Sequence, residues 1–207
     1  MELSVSILNA KDRVKITREL NKTDINYIHI DVMDGKFVSQ KTFLPEEIIE
    51  ISKISEKKLD VHLMVEEPID YIEKIKGLQN IEYITIHLEI GKNIKEIISK
   101  IKNYGFKVGL SIKPNTDISK IEPYLNDIDL ILLMTVEPGL GGQKFIPSSK
   151  NRLKQLKKMV NETILLEVDG GINNVTMNEV AEADIAVVGT YITSSDNVTE
   201  KINSLLV

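Results

Sequence analysis

The chain of 207 residues contains three histidines, and two of them lie in apolar, strand-like segments together with aspartates. His29 and Asp31 are two residues apart, so on a β-strand their side chains point to the same face. His62 lies in a second such segment and Asp169 ends a third. Any one of these histidines alone would be read as a hydrogen-bonded core residue. The four residues together predict one site for a divalent ion, because two imidazoles and two carboxylates suit zinc, iron(II) or manganese.

Further side chains that could take part in binding or catalysis lie at the ends of the apolar segments. We interpret His87 as a hydrogen-bond partner of a metal ligand or as a core histidine, rather than as a ligand. Met33, Met64 and Met134 leave two interpretations open. They either fill gaps in the core, as methionine often does, or form an apolar floor over the reacting carbon of a substrate.

Glycines follow three apolar segments in succession. They are Gly139, Gly141 and Gly142 after one segment, Gly170 and Gly171 after the next, and Gly189, before Thr190, after the last. Glycine lets backbone N–H groups approach an anion closely, and phosphate sites in α/β barrels often follow the last strands. One glycine pair would indicate only a tight turn, but three successive segments of this kind predict a phosphate-binding rim.

The apolar segments alternate with longer amphipathic ones, as strands alternate with helices. The predicted strands are 3–8, Tyr27–Met33, 59–65, 83–87, Lys107–Ile112, Leu130–Met134, 163–168 and Ile185–Val188. The predicted helices are 46–57, 93–104, 148–160 and 198–205. Pro68 and Ser148 suit helix starts, and Gly105 suits a helix end.

Alternating strands and helices predict parallel strands with right-handed crossovers. Eight such units in this length favour a single (β/α)8 TIM barrel that spans residues 1–207. The alternative is an open, doubly wound sheet, but no G-x-G-x-x-G pattern follows the first strand. In a barrel, the strand ends that bear the histidines, aspartates and glycines converge on one face, where active sites are built.

Composition narrows the classes of partner. The formal charge of −5, with basic and acidic residues mixed, argues against nucleic-acid binding. No cysteine is present, which excludes thiolate metal sites and disulfides. No apolar run approaches the roughly 20 residues of a membrane span, and the first residues lack a secretory pattern. We therefore expect a cytoplasmic protein with no membrane partner, and a homo-oligomer formed through apolar helix positions.

Five stretches resemble ribulose-phosphate 3-epimerases. They are HIDVMDG at 29–35, DVHLMV at 60–65, VGLSIKPNT at 108–116, MTVEPGLGGQKF at 134–145 and EVDGGI at 167–172. They occur in the order of the family, and the resemblance extends over residues 6–189. The stretch at 134–145 is the most specific, because we do not expect it in other barrels. The resemblance implies a metal-dependent isomerase of carbohydrate metabolism, in the pentose phosphate pathway, that epimerises a small phosphorylated ketose.

The resemblance also implies residue roles. Asp31 and Asp169 match the acid/base pair, and His29, Asp31, His62 and Asp169 match the ligands of one divalent metal ion. The positions that match substrate contacts are Ser6, Met33, His62, Met64, Met134, Gly139, Leu140, Gly141, Gly142, Gly170, Gly171, Gly189 and Thr190. The implied reaction converts D-ribulose 5-phosphate to D-xylulose 5-phosphate by proton transfer at C3 through a cis-enediolate. The chain departs from the family pattern at Lys36, at 39–40, within 5–11 (at Val5, Asn9 and Lys11) and at 190–191, and none of these positions is a metal ligand.

Three other functions remain open. The first is the same chemistry on D-allulose 6-phosphate. The second is an aldolase that forms a Schiff base through Lys107 or Lys113, although lysine is abundant here and either is more simply structural or solvent-facing. The third is a phosphosugar-binding barrel without catalysis, against which the complete set of two histidines and two aspartates argues, because a binder has no need of both carboxylates.

Overall fold

The structure, a computed structural model, describes residues 1–91 and 93–206. Eight parallel strands form a closed barrel in which each strand pairs with the next and the last returns to the first. The strands are β1 (Glu2–Ser6), β2 (Tyr27–Met33), β3 (Lys58–Met64), β4 (Ile81–His87), β5 (Lys107–Ile112), β6 (Leu130–Met134), β7 (Leu165–Asp169) and β8 (Ile185–Val188). The predicted (β/α)8 barrel is confirmed.

Helices surround the strands. The α-helices are α1 (Arg13–Leu20), α2 (Pro45–Ile54), α3 (Pro68–Ile75), α4 (Ile94–Asn103), α5 (Ser149–Met159), α6 (Thr190–Thr193) and α7 (Val198–Asn203). Short 3-10 helices occupy Leu88–Ile90, Ile118–Tyr124 and Thr176–Val180. Those at Ile118–Tyr124 and Thr176–Val180 follow β5 and β7, where an α-helix is usual in this fold. None of the helices in the described ranges has the length and hydrophobicity that crossing a membrane requires.

The predicted strands all occur; β2, β5, β6 and β8 have the predicted ends, and the other four are shifted by one to two residues at one or both ends. β1 ends at Ser6 rather than at residue 8, because the chain turns there and Ala10 N–H donates to the carbonyl of Ile7. β7 starts at Leu165 rather than at residue 163, because Thr163 is bonded locally to the side chain of Asn161. The four predicted helices correspond to α2, α4, α5 and α7, each with its ends moved by a few residues.

Two of the predicted helix boundaries have different outcomes. Pro68 is the first residue of α3, where its missing N–H costs nothing. Ser148 precedes α5 as predicted, but its side chain makes no capping hydrogen bond. The start of α5 therefore depends on the packing of its buried face more than on a cap.

The parallel register between β2 and β3 stacks functional side chains in rows across the two strands. Asp31 is paired with His62. One row deeper, His29 is paired with Asp60, and one row nearer the barrel mouth Met33 is paired with Met64. His29 therefore lies deeper than the strand end at which the sequence analysis placed it.

The barrel interior changes character along its axis. Toward the N-terminal ends of the strands it is filled by apolar side chains that include Tyr83, Leu130, Leu132 and Ile185. Toward the C-terminal ends lie the buried histidines and carboxylates. Because an apolar plug closes one end, the polar residues face only the other end of the barrel.

Gly105 ends α4 in the left-handed conformation that L-residues with a Cβ atom avoid. Its φ is 85°, and Gly105 N–H and Phe106 N–H donate to the carbonyls of Lys102 and Ile101. We expect Gly105→Ala to lower the free energy of unfolding by about 1–2 kcal/mol, measured by urea denaturation. Gly77→Ala is the matched control, because Gly77 has no positive φ and an added Cβ meets no atom within 4 Å. Equal stability of the two variants would contradict the left-handed conformation of Gly105 at the end of α4.

Candidate functional site

The four predicted metal ligands lie together at the C-terminal end of the barrel. One donor atom from each lies within 4.8 Å of the others. Oδ1 of Asp31 is 3.2 Å from His29 Nε2 and 3.3 Å from His62 Nδ1. His62 Nδ1 is also 3.8 Å from Oδ2 of Asp169. Three strands, β2, β3 and β7, therefore direct two imidazole nitrogens and two carboxylates at one point.

Asp60 fixes the orientation of the His29 ring. Its Nδ1 lies 2.5 Å from Oδ2 of Asp60, which also accepts a hydrogen bond of 2.9 Å from Ser4 Oγ. Burial alone would lower the pKa of His29, but Asp60 and Asp31 raise it well above its usual value. Since a carboxylate can only accept, Nδ1 bears a proton, and Nε2 would present its lone pair to a bound ion. That Nε2 is fully buried and has no hydrogen-bond partner among the described residues.

This donor set fits a divalent ion. Ligand atoms around a tetrahedral ion with bonds of about 2.0–2.1 Å lie roughly 3.3 Å apart, close to the separations at Asp31 and His62. The unpartnered Nε2 of His29 is satisfied by such an ion, and the Asp60 contact is the usual outer support of a histidine ligand. An ion here would be bound by His29, Asp31, His62 and Asp169.

The two carboxylates at this point have pKa values moved in opposite directions. Burial alone would raise the pKa of Asp31, but His29 and His62 hold it far below its usual range. Ser6 Oγ also donates a hydrogen bond of 2.6 Å to Oδ2 of Asp31. Burial, and then the charge of Asp31, raise the pKa of Asp169 to about 6. One carboxylate is therefore firmly ionised, whereas the other takes up a proton readily.

A cavity of about 280 Å³ opens above these groups. The predicted contact residues that line it are Ser6, Met33, Met64, Met134, Gly139, Leu140, Gly141, Gly142, Gly170, Gly171, Gly189 and Thr190. Asp31 and Asp169 also face it, but His62, predicted to contact substrate as well, is fully buried and does not line the cavity. The three methionines are at most 2% exposed, so they pack in the core, and they also line the cavity.

Sequence analysis missed several residues of the cavity. Asn9 Nδ2 donates to Thr190 Oγ1 over 3.0 Å and thereby joins the loop after β1 to the loop after β8. Tyr191 and Gln143 also line the cavity. Asn9 follows the end of the first strand, and this position was the available signal that it lies at the mouth.

The glycine loops pack against one another at the mouth. Gly171 has a φ of 69°, and an added Cβ would lie 2.3 Å from the backbone nitrogen of Phe145. The loop after β7 therefore touches the loop after β6 through backbone atoms, an approach that only glycine permits. Backbone groups of both loops are held close to the cavity.

Glu167 lies beneath the candidate metal centre. Its side chain is fully buried, and neither carboxyl oxygen has a hydrogen-bond partner in the described part of the chain. Together with Asp60 and His29 it forms a second cluster whose donor atoms lie within 4.8 Å of one another. Burial, and then the nearby charge of Asp60, raise the pKa of Glu167 well above its usual value. The folded protein therefore favours the protonated, neutral form of Glu167.

The raised pKa of Glu167 predicts that the free energy of unfolding of the metal-free protein depends on pH. Above about pH 4.3 the unfolded chain releases this proton while the folded chain keeps it, so the free energy of unfolding falls as pH rises. Glu167→Gln removes this titration. We expect the variant to gain stability over the parent as pH rises from 4 to 8, by up to about 1.4 kcal/mol per pH unit. Urea unfolding in chelator, with exposed Glu162→Gln as the control, measures the difference. A stability difference between Glu167→Gln and the parent that does not change with pH would contradict the raised pKa of Glu167.

Comparisons with known proteins agree with this architecture. The model of the ribulose-phosphate 3 epimerase family matches residues 2–193. The ribulose-phosphate 3-epimerase of Bacillus subtilis is 40% identical over 170 residues, covering 80% of this chain and 78% of the relative. That of Helicobacter pylori strain 26695 is 36% identical over 201 residues, covering 94% and 92%.

A solved structure supports the fold alone. The 3-hexulose-6-phosphate synthase of Salmonella typhimurium superposes with a TM-score of 0.70 at 17% identity, covering 99% of this chain and 96% of that one. The two curated relatives, by contrast, are 40% and 36% identical to this chain, and the family model matches most of it. The chain belongs to the ribulose-phosphate 3-epimerase family, and it is an epimerase of the TIM-barrel class.

Proposed function

We propose that this enzyme interconverts D-ribulose 5-phosphate and D-xylulose 5-phosphate by moving the proton at C3. The observation that supports this most is the pair of carboxylates Asp31 and Asp169, which come from different strands and face one cavity beside one candidate metal centre. Enzymes that need an acid and a base at one pH separate the pKa values of two such groups by their environments.

The chemistry explains why both groups are needed. The C3 proton lies next to the C2 carbonyl, so its removal leaves a cis-enediolate. When bound, a divalent ion supplies Lewis-acid stabilisation of the negative charge on the substrate oxygens. Inversion at C3 without rotation of the intermediate requires one proton-transfer group on each face of the sugar.

Asp31 and Asp169 are proposed for these two roles. They come from β2 and β7, which are not neighbours in the barrel, and both face the cavity. Asp31, ionised and held by Ser6 Oγ, accepts the proton from one epimer. Asp169, protonated, returns a proton to the opposite face, and the roles reverse in the other direction.

The glycine rim is proposed to bind the phosphate. Loops after β6, β7 and β8 supply Gly142, Gly171 and Gly189 to the cavity wall. No lysine or arginine is among the described residues that line the cavity, so the proposed donors to the phosphate are backbone N–H groups, with neutral side chains such as Thr190 beside them. The segment 139–145 is proposed to cover the bound sugar and exclude water, which would protect the enediolate.

Asparagine variants separate the two proton-transfer roles. Asp31→Asn and Asp169→Asn should each lower kcat by about 10²–10⁴-fold, because asparagine cannot exchange a proton at this site. Each variant should still wash the C3 proton of one epimer slowly into D2O without forming the other, and the two variants should act on different epimers. Proton NMR measures exchange and conversion together, with metal content determined for every sample.

Exposed Asp24→Asn is the control, and it should match the parent. Conversion near the parent rate in either site variant would overturn the two-base assignment. D-allulose 6-phosphate is assayed in parallel. Faster conversion of that sugar would change the proposed substrate and leave the proposed chemistry in place.

The phosphate rim is tested at Gly171. Gly171→Ala places a Cβ against the backbone of Phe145 and requires a positive φ, so the loops must separate. We expect KM for the sugar phosphate to rise by at least tenfold with a smaller change in kcat, since the acid/base pair is untouched. Steady-state kinetics measure both constants, with Gly77→Ala as the control. An unchanged KM would contradict a phosphate site at this loop.

A further inference from the structure

His87 contacts the candidate metal centre without belonging to it. Its side chain is fully buried, like that of His62, and the two ring centroids are 4.9 Å apart with an angle of 28° between the ring planes. The Nε2 atoms of the two rings are 2.8 Å apart. A separation this short between ring nitrogens requires a hydrogen bond, so one Nε2 has a proton and the other a lone pair.

The far side of His87 is held by Glu89. His87 Nδ1 is 3.1 Å from Oε2 of Glu89. The other carboxylate oxygen, Oε1, accepts a hydrogen bond of 2.7 Å from Lys113 N–H and another from the hydroxyl of Thr116. Burial would raise the pKa of Glu89, but His87 and these donors lower it to about 2. Glu89 is therefore an anchored carboxylate that can only accept.

These contacts determine where each proton lies. Because Glu89 only accepts, the proton of His87 is on Nδ1 and its Nε2 has a lone pair. His62 must then donate through its own Nε2–H. With an ion bound, the remaining nitrogen of His62, Nδ1, would then present a lone pair to that ion between Asp31 and Asp169.

Aromatic packing encloses this chain of hydrogen bonds. The ring of Phe37, in the loop after β2, lies 4.8 Å from that of His87. The ammonium of Lys113 lies 4.1 Å from the centre of the Phe37 ring. The cover keeps water away from His87, so Glu89 and His62 are its hydrogen-bond partners.

We propose that His87 and Glu89 are positioning residues that fix His62 in the tautomer whose Nδ1 can bind the ion. The inference rests on the proposed metal site. Neither residue touches the cavity, so both act through His62. It differs from the support of His29, where a single carboxylate performs the same task directly.

A pair of substitutions at His87 tests this assignment. His87→Phe keeps an aromatic ring against Phe37 and His62 but removes the acceptor for His62 Nε2–H. His87→Gln keeps an acceptor oxygen. Cobalt(II) is titrated into metal-free parent and variants, and affinity is read from the visible absorption of the bound ion. We expect His87→Phe to weaken binding by about 10–100-fold and to change the spectrum, with His87→Gln closer to the parent in both.

The outcomes distinguish this inference from the proposed function. If the parent binds no cobalt, the metal site itself is wrong. If the parent binds and His87→Phe binds equally well with the same spectrum, only the positioning role is overturned. Thermal melting of the metal-free proteins shows whether each variant is folded.

Nitrogen-15 NMR of the parent keeps the inference testable if His87→Phe does not fold. It should show His87 with its proton on Nδ1 and metal-loaded His62 with its proton on Nε2. The opposite tautomer at His87 would overturn the proposal.

Discussion

Burial of charge at one end of the barrel is the constraint on which this structure depends. Asp31, Asp60 and Glu167 are almost completely buried, and Asp169 is largely so. An isolated buried carboxylate would cost several kcal/mol, so each must be paired, protonated or bound to a cation. The chain uses histidines as partners for Asp31 and Asp60 and a proton for Glu167. Asp169 and Nε2 of His29 still need a partner, and a bound divalent ion would supply one.

The strands and the rim loops of the barrel contribute different groups to the site. Strand side chains provide the proposed acid/base pair and the candidate ligands, and their spacing is set by hydrogen-bonded register. The loops provide backbone groups, which glycine allows to pack closely, as at Gly171. The proposed proton transfer, which tolerates little displacement, thus involves strand residues, while the proposed phosphate contacts come from the loops.

Much of this site was predictable from sequence because a parallel barrel collects its strand ends on one face. Spacing along a single strand places His29 with Asp31 on one face, and the four candidate ligands follow from that pattern. Asp60 and Glu167 lie in the same stretches, yet sequence analysis gave them no role. Their function depends on which residues of neighbouring strands are paired, and a sequence pattern does not state that register.

The hydrogen-bonded series of His62, His87 and Glu89 was also only partly predictable from the sequence. A histidine at a strand end was interpreted as a ligand partner or a core residue, and the structure shows contact with His62. Glu89 was beyond prediction because its carboxylate is anchored by Lys113 N–H and Thr116, which follow a different strand. The 3-10 helix after β5 was also not predicted; Pro123 within it cannot donate a backbone hydrogen bond.

The most direct test of the central claim is exchange of the C3 proton of D-ribulose 5-phosphate in D2O, followed by NMR on protein of known metal content. The account predicts loss of the C3 proton signal together with formation of xylulose 5-phosphate. Both should stop in chelator and return when zinc, iron(II) or manganese is restored. Undiminished exchange and conversion in fully metal-free protein would contradict the metal centre, and no exchange in metal-loaded protein would contradict the proposed substrate and reaction.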